Sequence, residues 1–250
     1  MLFELQLGTP NSKPGTREMS EAQEKVLGID RLPLFPLPLV LMPNELLPLH
    51  VFEPRYRQML KDIELRRNIF GVLLFEENKG IGEKPPAGTI GCAAEVRETN
   101  AMPDGRSNIL TSGLLRFRLL DYVDTGTPYF TGEIAFFEDE PESAEALAPV
   151  AEEVFELFGR VAKAAFKLSG NRGTLPEIPK AEPEPLSFLV SAAFNLDNEL
   201  KYRFLEMTST SERLARLREI LLQAVDKMEE SAEISKVAAT NGHSKKKIDL

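Results

Sequence analysis

Leu32-Pro33-Leu34-Phe35-Pro36-Leu37-Pro38, and then Pro48-Leu49-His50-Val51-Phe52-Glu53-Pro54-Arg55-Tyr56-Arg57-Gln58-Met59-Leu60, are the stretches whose reading decides the fold. In the first, alternating prolines forbid a helix and restrict any strand to an edge or to bulged positions. The segment is therefore extended, with Leu34, Phe35, Leu37 and Leu39 as anchors. In the second, the turn signal Pro43-Asn44-Glu45 precedes a strand-like run from Leu46 to Phe52. Pro54 then suits the first position of a helix, and Glu53 sits near that helix's positive end. Tyr56, Met59, Leu60 and Ile63 recur at i, i+3, i+4 and i+7, which predicts one buried helical face.

Working outward, the period changes from 3.6 to 2. Ile69 to Phe75 is a continuous apolar run, as in a strand buried on both faces. Ile90, Cys92, Ala94 and Val96 alternate against Glu95 and Arg97. Pro103-Asp104-Gly105 turns the chain into Asn108–Tyr122, where Leu115, Phe117 and Leu119 alternate against Arg116 and Arg118. Gly132, Ile134 and Phe136 mark a last strand. Short strands with one early helix and no regular βα alternation predict a twisted antiparallel or mixed barrel.

From Pro141 to Met228 the pattern is helical. A first helix carries Val150, Val154, Phe158, Val161 and Ala165 on its inner stripe and ends near Gly170. A Pro-rich arm, residues 171–185, carries Leu175 and Ile178. Three more helices hold Leu186, Leu189, Val190 and Ala193, then Leu200, Phe204 and Met207, then Leu214 through Met228. Ser209 and Glu212 have capping-box spacing at the start of the last. The predicted organisation is a disordered leader over 1–28, a barrel over 29–140, a helical bundle over 141–230 and a disordered tail over 231–250. Met19 is a second candidate start, which would leave residues 1–18 outside the protein.

Composition excludes several functions. With 250 residues, 42% apolar and 28% charged, the chain is an ordinary globular one. Its net charge of −9 and pI near 5.0 disfavour a charge-driven partner such as nucleic acid or an anionic membrane. Residues 31–140 alone hold 12 basic against 16 acidic residues, so Arg116 and Arg118 around Phe117 do not make a phosphate-binding face. One cysteine and two histidines supply neither an internal disulfide nor a structural zinc site. No apolar run of transmembrane length and no secretory leader are present, so the expected location is the cytoplasm.

Catalytic motifs fail on residue supply. The chain contains no phosphate loop, no G-x-G-x-x-G opening a helix, no H-E-x-x-H and no G-x-S-x-G elbow. His50 reads as a structural histidine hydrogen-bonded at a strand-to-helix corner, and Cys92 as an inert buried thiol. Glu138-Asp139-Glu140 and Glu152-Glu153 read as solvated surface. No catalytic residue, metal ligand or cofactor is expected.

The opening motifs closely resemble those of the LON substrate-binding domain, the N-terminal domain of the Lon ATP-dependent proteases. Phe70-Gly71-Val72-Leu73-Leu74, the G-x-x-R-F-R element over Gly113–Arg118, and the helical segments from Leu186 to Leu217 continue the resemblance, over about residues 29–230. It implies an α+β fold, a PUA-like β pseudobarrel followed by a C-terminal α-helical bundle, in a bacterial, cytoplasmic, free-standing protein without the ATPase and serine-lysine peptidase modules. It further implies a non-catalytic, protein-binding module that engages exposed apolar segments of unfolded or tagged proteins, with a protease or chaperone as further partners. The alternative is a PUA-like RNA-contacting domain, which the charge disfavours. Candidate peptide-binding residues are Phe35, Phe155, Phe166, Leu175 and Ile178. Each has a structural alternative: Phe35 as a plug of the barrel, Phe155 and Phe166 as part of a wide core stripe, Leu175 and Ile178 as packing over the bundle.

Overall fold

The computed structural model describes residues 19–75, 84–168, 180–194 and 196–241. Six strands form one mixed sheet: β1 (Arg31–Leu37), β2 (Leu46–Val51), β3 (Ile69–Leu74), β4 (Ile90–Ala101), β5 (Ser107–Val123) and β6 (Phe130–Phe137). Their order is β2-β5-β4-β3-β1-β6, and β6 also pairs with β5, so five strands close into a ring while β2 lies along one end of β5. The 17-residue β5 makes this possible, since its first half pairs with β2 and its second half with β6. Register shifts on β4 and beside Leu119 bend the strands around the ring. Gly71 and Gly91 stand over the Phe117 ring, where a Cβ on either would lie 2.7 Å from it.

The sequence restricted β1 to an edge or to bulged positions, yet it lies between β3 and β6. The reason is stagger. Arg31–Pro33 pair only with β6 and Phe35–Leu37 only with β3 in parallel, Leu34 alone pairing with both, so Pro33 and Pro36 each sit where the strand has a single neighbour. Helix α1 (Glu21–Val26) falls within the segment expected to be a disordered leader. A Ser20/Gln23 capping box starts it, Val26 is buried against the barrel, and Lys25 pairs with Glu95 at 3.0 Å. Helix α2 (Pro54–Glu64) begins on Pro54 as expected and buries Tyr56, Met59 and Ile63.

Helices α3 (Ala144–Leu168), α4 (Pro183–Ala193), α5 (Asn198–Glu206) and α6 (Thr210–Asn241) follow. The inner stripe of α3 is Leu147, Ala151, Val154, Leu157 and Val161, rotated from the predicted one, so Phe158 is only half-buried and Ala165 is exposed. That stripe packs against Leu214, Leu217, Leu221 and Val225 of α6. Ser209 accepts the Glu212 N–H at 3.1 Å, the first half of the expected capping box. The backbone of α6 stays helical to Asn241, past the predicted end of order at 230, through a run of good helix formers that meets no glycine before Gly242.

Barrel and helices are joined by a buried ionic cluster that contradicts two expectations. Arg116, read as the polar side of an alternating strand, and Asp139, read as solvated, are both buried, together with Arg213. The Asp139 carboxylate accepts hydrogen bonds from Arg116, Arg213 and the Thr210 hydroxyl. Arg116 also donates to the Leu205 carbonyl at 2.9 Å, and Arg213 to the Met207 carbonyl at 3.0 Å and the Ser187 hydroxyl at 2.8 Å. Burial pushes the Asp139 carboxyl up, but the hydrogen bond and charge of Arg213, the Thr210 hydroxyl and the Arg116 charge together hold it below the usual range.

Asp139→Ala leaves two buried guanidiniums without their shared carboxylate, and a loss of about 3–5 kcal/mol is expected in denaturant unfolding. A lowered folded-state pKa means that the carboxylate's contribution is fully present above the ordinary aspartate value of 3.8. It is lost as pH falls through the lower, folded value. Acid unfolding of the native chain should therefore steepen below that point, and Asp139→Asn should remove this component.

Candidate functional site

The titratable groups offer no reactive centre among the described residues. Cys92 is wholly buried in the core beneath α2, where burial pushes its thiol up to about 12. His50 lies on β2 but is exposed, with Nδ1 2.7 Å from the Asn108 side-chain oxygen. The hydrogen bond matches the sequence reading, and the side chain is exposed because position 50 falls on the outward phase of the strand. Among the described residues no group of three or more His, Cys, Asp or Glu side chains could hold a metal ion. No helix among them is long and apolar enough to cross a membrane.

What β2 does present is an apolar row. Its burial alternates: Leu47 and Leu49 turn toward the core beneath α2, while Leu46, Pro48 and His50 face out. Leu46 is 61% exposed and Phe52, just beyond the strand, 58%. The Phe52 ring stacks beside His50 with centroids 6.0 Å apart, and the cross-strand partner of Pro48 is Leu110. Large apolar side chains exposed in a contiguous row are what distinguish an interaction surface from scattered exposed leucines.

The backbone of β2 is also available. The Leu47 carbonyl faces β5, accepting the Thr111 hydroxyl at 2.8 Å, and the Gly113 N–H donates to the Glu45 carbonyl at 2.9 Å. By alternation, the peptide groups of Leu46, Pro48 and His50 point to the other side, where β2 ends the sheet order. Pro48 contributes an acceptor there and no donor, which blunts the edge without closing it.

The residues singled out from the sequence do not converge. Phe35 is 7% exposed and stacks on Tyr56 of α2 at 3.9 Å, on the face of β1 opposite to Leu34 and the Phe117 ring, so it is core packing beneath α2 and neither a plug of the barrel nor a surface residue. Phe155 is partly buried against the helical core, a different cluster, and Phe166 is half-buried farther along α3. Leu175 and Ile178 lie outside the described residues. The β2 row was missed because Leu46-Leu47-Pro48-Leu49-His50-Val51-Phe52 carries apolar side chains in both phases, so no polar side marked the outward face. A second apolar concavity, about 500 Å³, lies between α1 and the β5–β6 pair, lined by Val26, Leu27, Leu115 and Phe136.

Comparison with known proteins assigns this architecture. The family model of the ATP-dependent protease La (LON) substrate-binding domain matches residues 31–223, and the chain belongs to that family. A Lon protease from Xanthomonas oryzae pv. oryzae is 28% identical over 225 residues, 85% of this chain and 24% of that protein. One from Parabacteroides distasonis is 26% identical over 173 residues, 63% of this chain and 20% of that protein. The chain thus spans about a fifth to a quarter of these proteases. Among solved structures, a Lon N-terminal domain protein from Xanthomonas campestris superposes with a TM-score of 0.55 at 25% identity, over 76% of this chain and 97% of that one. The N-terminal domain of a Mycobacterium avium complex Lon protease shares the fold at 16% identity, also with a TM-score of 0.55.

Two side chains check the description of this surface. His50→Ala should change unfolding free energy by no more than about 0.5 kcal/mol, as for exposed positions generally. Cys92 should resist a thiol reagent at neutral pH until the chain unfolds; rapid labelling of the native protein would place it at an accessible site.

Proposed function

We propose that this protein is a non-catalytic recognition module that binds exposed apolar segments of other polypeptides in extended form along the outer face of β2. The observation that carries the reading is the row of Leu46, Pro48 and Phe52, apolar and exposed beside an unpaired strand edge. An extended segment adding to that edge meets backbone acceptors at all three outward residues and donors at Leu46 and His50, while its alternate side chains lie on the row. Membership in a family named for substrate binding supports the same reading.

The closed five-strand ring supports a PUA-like pseudobarrel. The proposed setting is a bacterial cytoplasm, and the proposed clients are unfolded or tagged proteins, with a protease or chaperone as further partners. A net charge of −9 weighs against RNA as the ligand.

Leu46→Ser combined with Phe52→Ser tests the proposal. Burying a leucine or phenylalanine is worth about 1.5–3 kcal/mol, so affinity for a fluorescently labelled, permanently unfolded model protein should fall at least about tenfold. The melting temperature should hold, because both side chains are exposed. Binding that survives in this variant but is lost in Leu175→Ser with Ile178→Ser would move the site to the Pro-rich arm. Tight, salt-sensitive binding of mixed RNA would replace the protein-binding reading altogether.

A further inference from the structure

A second concave surface differs in chemistry from the β2 row. Between α2 and the β4–β5 hairpin lies a cleft of about 360 Å³ with Leu60, Ile63 and Val96 among its apolar walls. Four cationic residues, Arg57, Lys61, Arg97 and Arg106, line it against the single carboxylate of Glu64. This concentration of positive charge stands on a chain whose net charge is −9.

The four cations are not equivalent. Arg97 is paired with Glu95 at 2.9 Å and Arg106 with Asp104 at 2.6 Å. The Arg57 and Lys61 side chains form no hydrogen bond or ion pair among the described residues. They stand one helical turn apart on α2, so both heads can reach one ligand. Arg57 is also positioned. Its guanidinium rests against the hairpin turn at Gly105, where φ is +82° and a Cβ would come within 1.9 Å of Nη2. A glycine there both makes the turn and leaves room for the planar group.

We propose that this cleft binds a carboxylate-bearing peptide segment, with Arg57 and Lys61 on the carboxylate and an adjoining apolar side chain against Leu60 and Val96. A guanidinium fork matches a planar carboxylate, and an ammonium one turn away adds a second charge-assisted contact. The apolar walls suit a peptide side chain better than a ribose, and the negative charge of the rest of the chain opposes a polyanion while tolerating a single acidic group. The site is separate from the β2 row. Thr99 and Ala101 share register with Ile109 and Ser107, whereas Pro48 and His50 share register with Leu110 and Asn108, on the opposite face of the same sheet.

The test uses the whole chain and the peptide acetyl-Ala-Leu-Asp-Leu-Glu-Ala-amide, with its Asn/Gln counterpart as control. The acidic peptide should bind more tightly than the control, weaken as salt rises, and perturb the backbone amide resonances of Arg57, Lys61 and Gly105. Arg57→Gln with Lys61→Gln should reduce its affinity at least about tenfold at an unchanged melting temperature, and Arg57→Lys should restore only part of it. Leu46→Ser with Phe52→Ser should leave this binding intact, so failure of the row and failure of the cleft are separable. Equal affinity for the control peptide, full binding by the double glutamine variant, or stronger binding of a ten-nucleotide RNA would overturn the proposal.

Discussion

Two guanidiniums share one carboxylate at the seam between barrel and helices, and the placement of everything on the helical side follows from how that arrangement is satisfied. Arg116 comes from β5, Asp139 follows β6, and Arg213 belongs to α6. One positive charge is left over when Asp139 is ionised. It is spread over the carbonyls of Leu205 and Met207 and over aromatic faces, with the Arg213 guanidinium 3.9 Å from the Phe188 centroid and that of Arg116 4.6 Å from the Phe137 centroid. Charges desolvated in this way gain little net stability from their mutual attraction. They do impose geometry, because any shift of α6 along the barrel would strand at least one buried charge.

The same cluster marks where a single sequence stops being informative. Period-2 and period-3.6 patterns located β2, α2, β3 and the four C-terminal helices, and gave the buried face of α2, but not that of α3, whose stripe is rotated, nor that of β2, which is apolar in both phases. Arg116 broke the pattern: in an alternating strand an arginine takes the solvent phase unless a partner far along the chain meets it, and Asp139 and Arg213 lie 23 and 74 residues apart from their respective partners Arg116 and Asp139. Nothing in Glu138-Asp139-Glu140 distinguishes the middle carboxylate from its neighbours. The prolines of β1 were legible as a constraint and misleading as a position, since stagger supplies a local edge inside a closed ring.

The candidate surface was less legible than the fold, for a related reason. Burial selects apolar residues, so an apolar residue in a strand reads as core until the partner that covers its face is known. Phe35, flanked by prolines, looked like an edge residue and is covered by Tyr56 and Phe70. Leu46 and Phe52 looked like ordinary strand residues and are uncovered, at 61% and 58% exposure. The Arg57 cleft was invisible for a different reason. Its polarity depends on which cations find partners, and Glu95 and Asp104 neutralise two of the four.

The energetics of the row constrain what it can recognise. A strand already ordered in the barrel loses little conformational entropy on binding, but its ligand pays about 1–2 kcal/mol for each residue held extended. Two apolar anchors of about 1.5–3 kcal/mol each, with edge hydrogen bonds worth little net, therefore only roughly offset the ordering of four residues. A short peptide on the row alone is held weakly. The cleft cannot rescue the same short peptide, because it opens on the other face of the sheet. A long unfolded chain can reach both, and once one contact has formed the second occurs at the effective concentration set by the intervening segment. On the proposed reading, preference for unfolded proteins over short or folded ones thus arises from two weak sites on opposite faces of the β2–β5–β4 sheet.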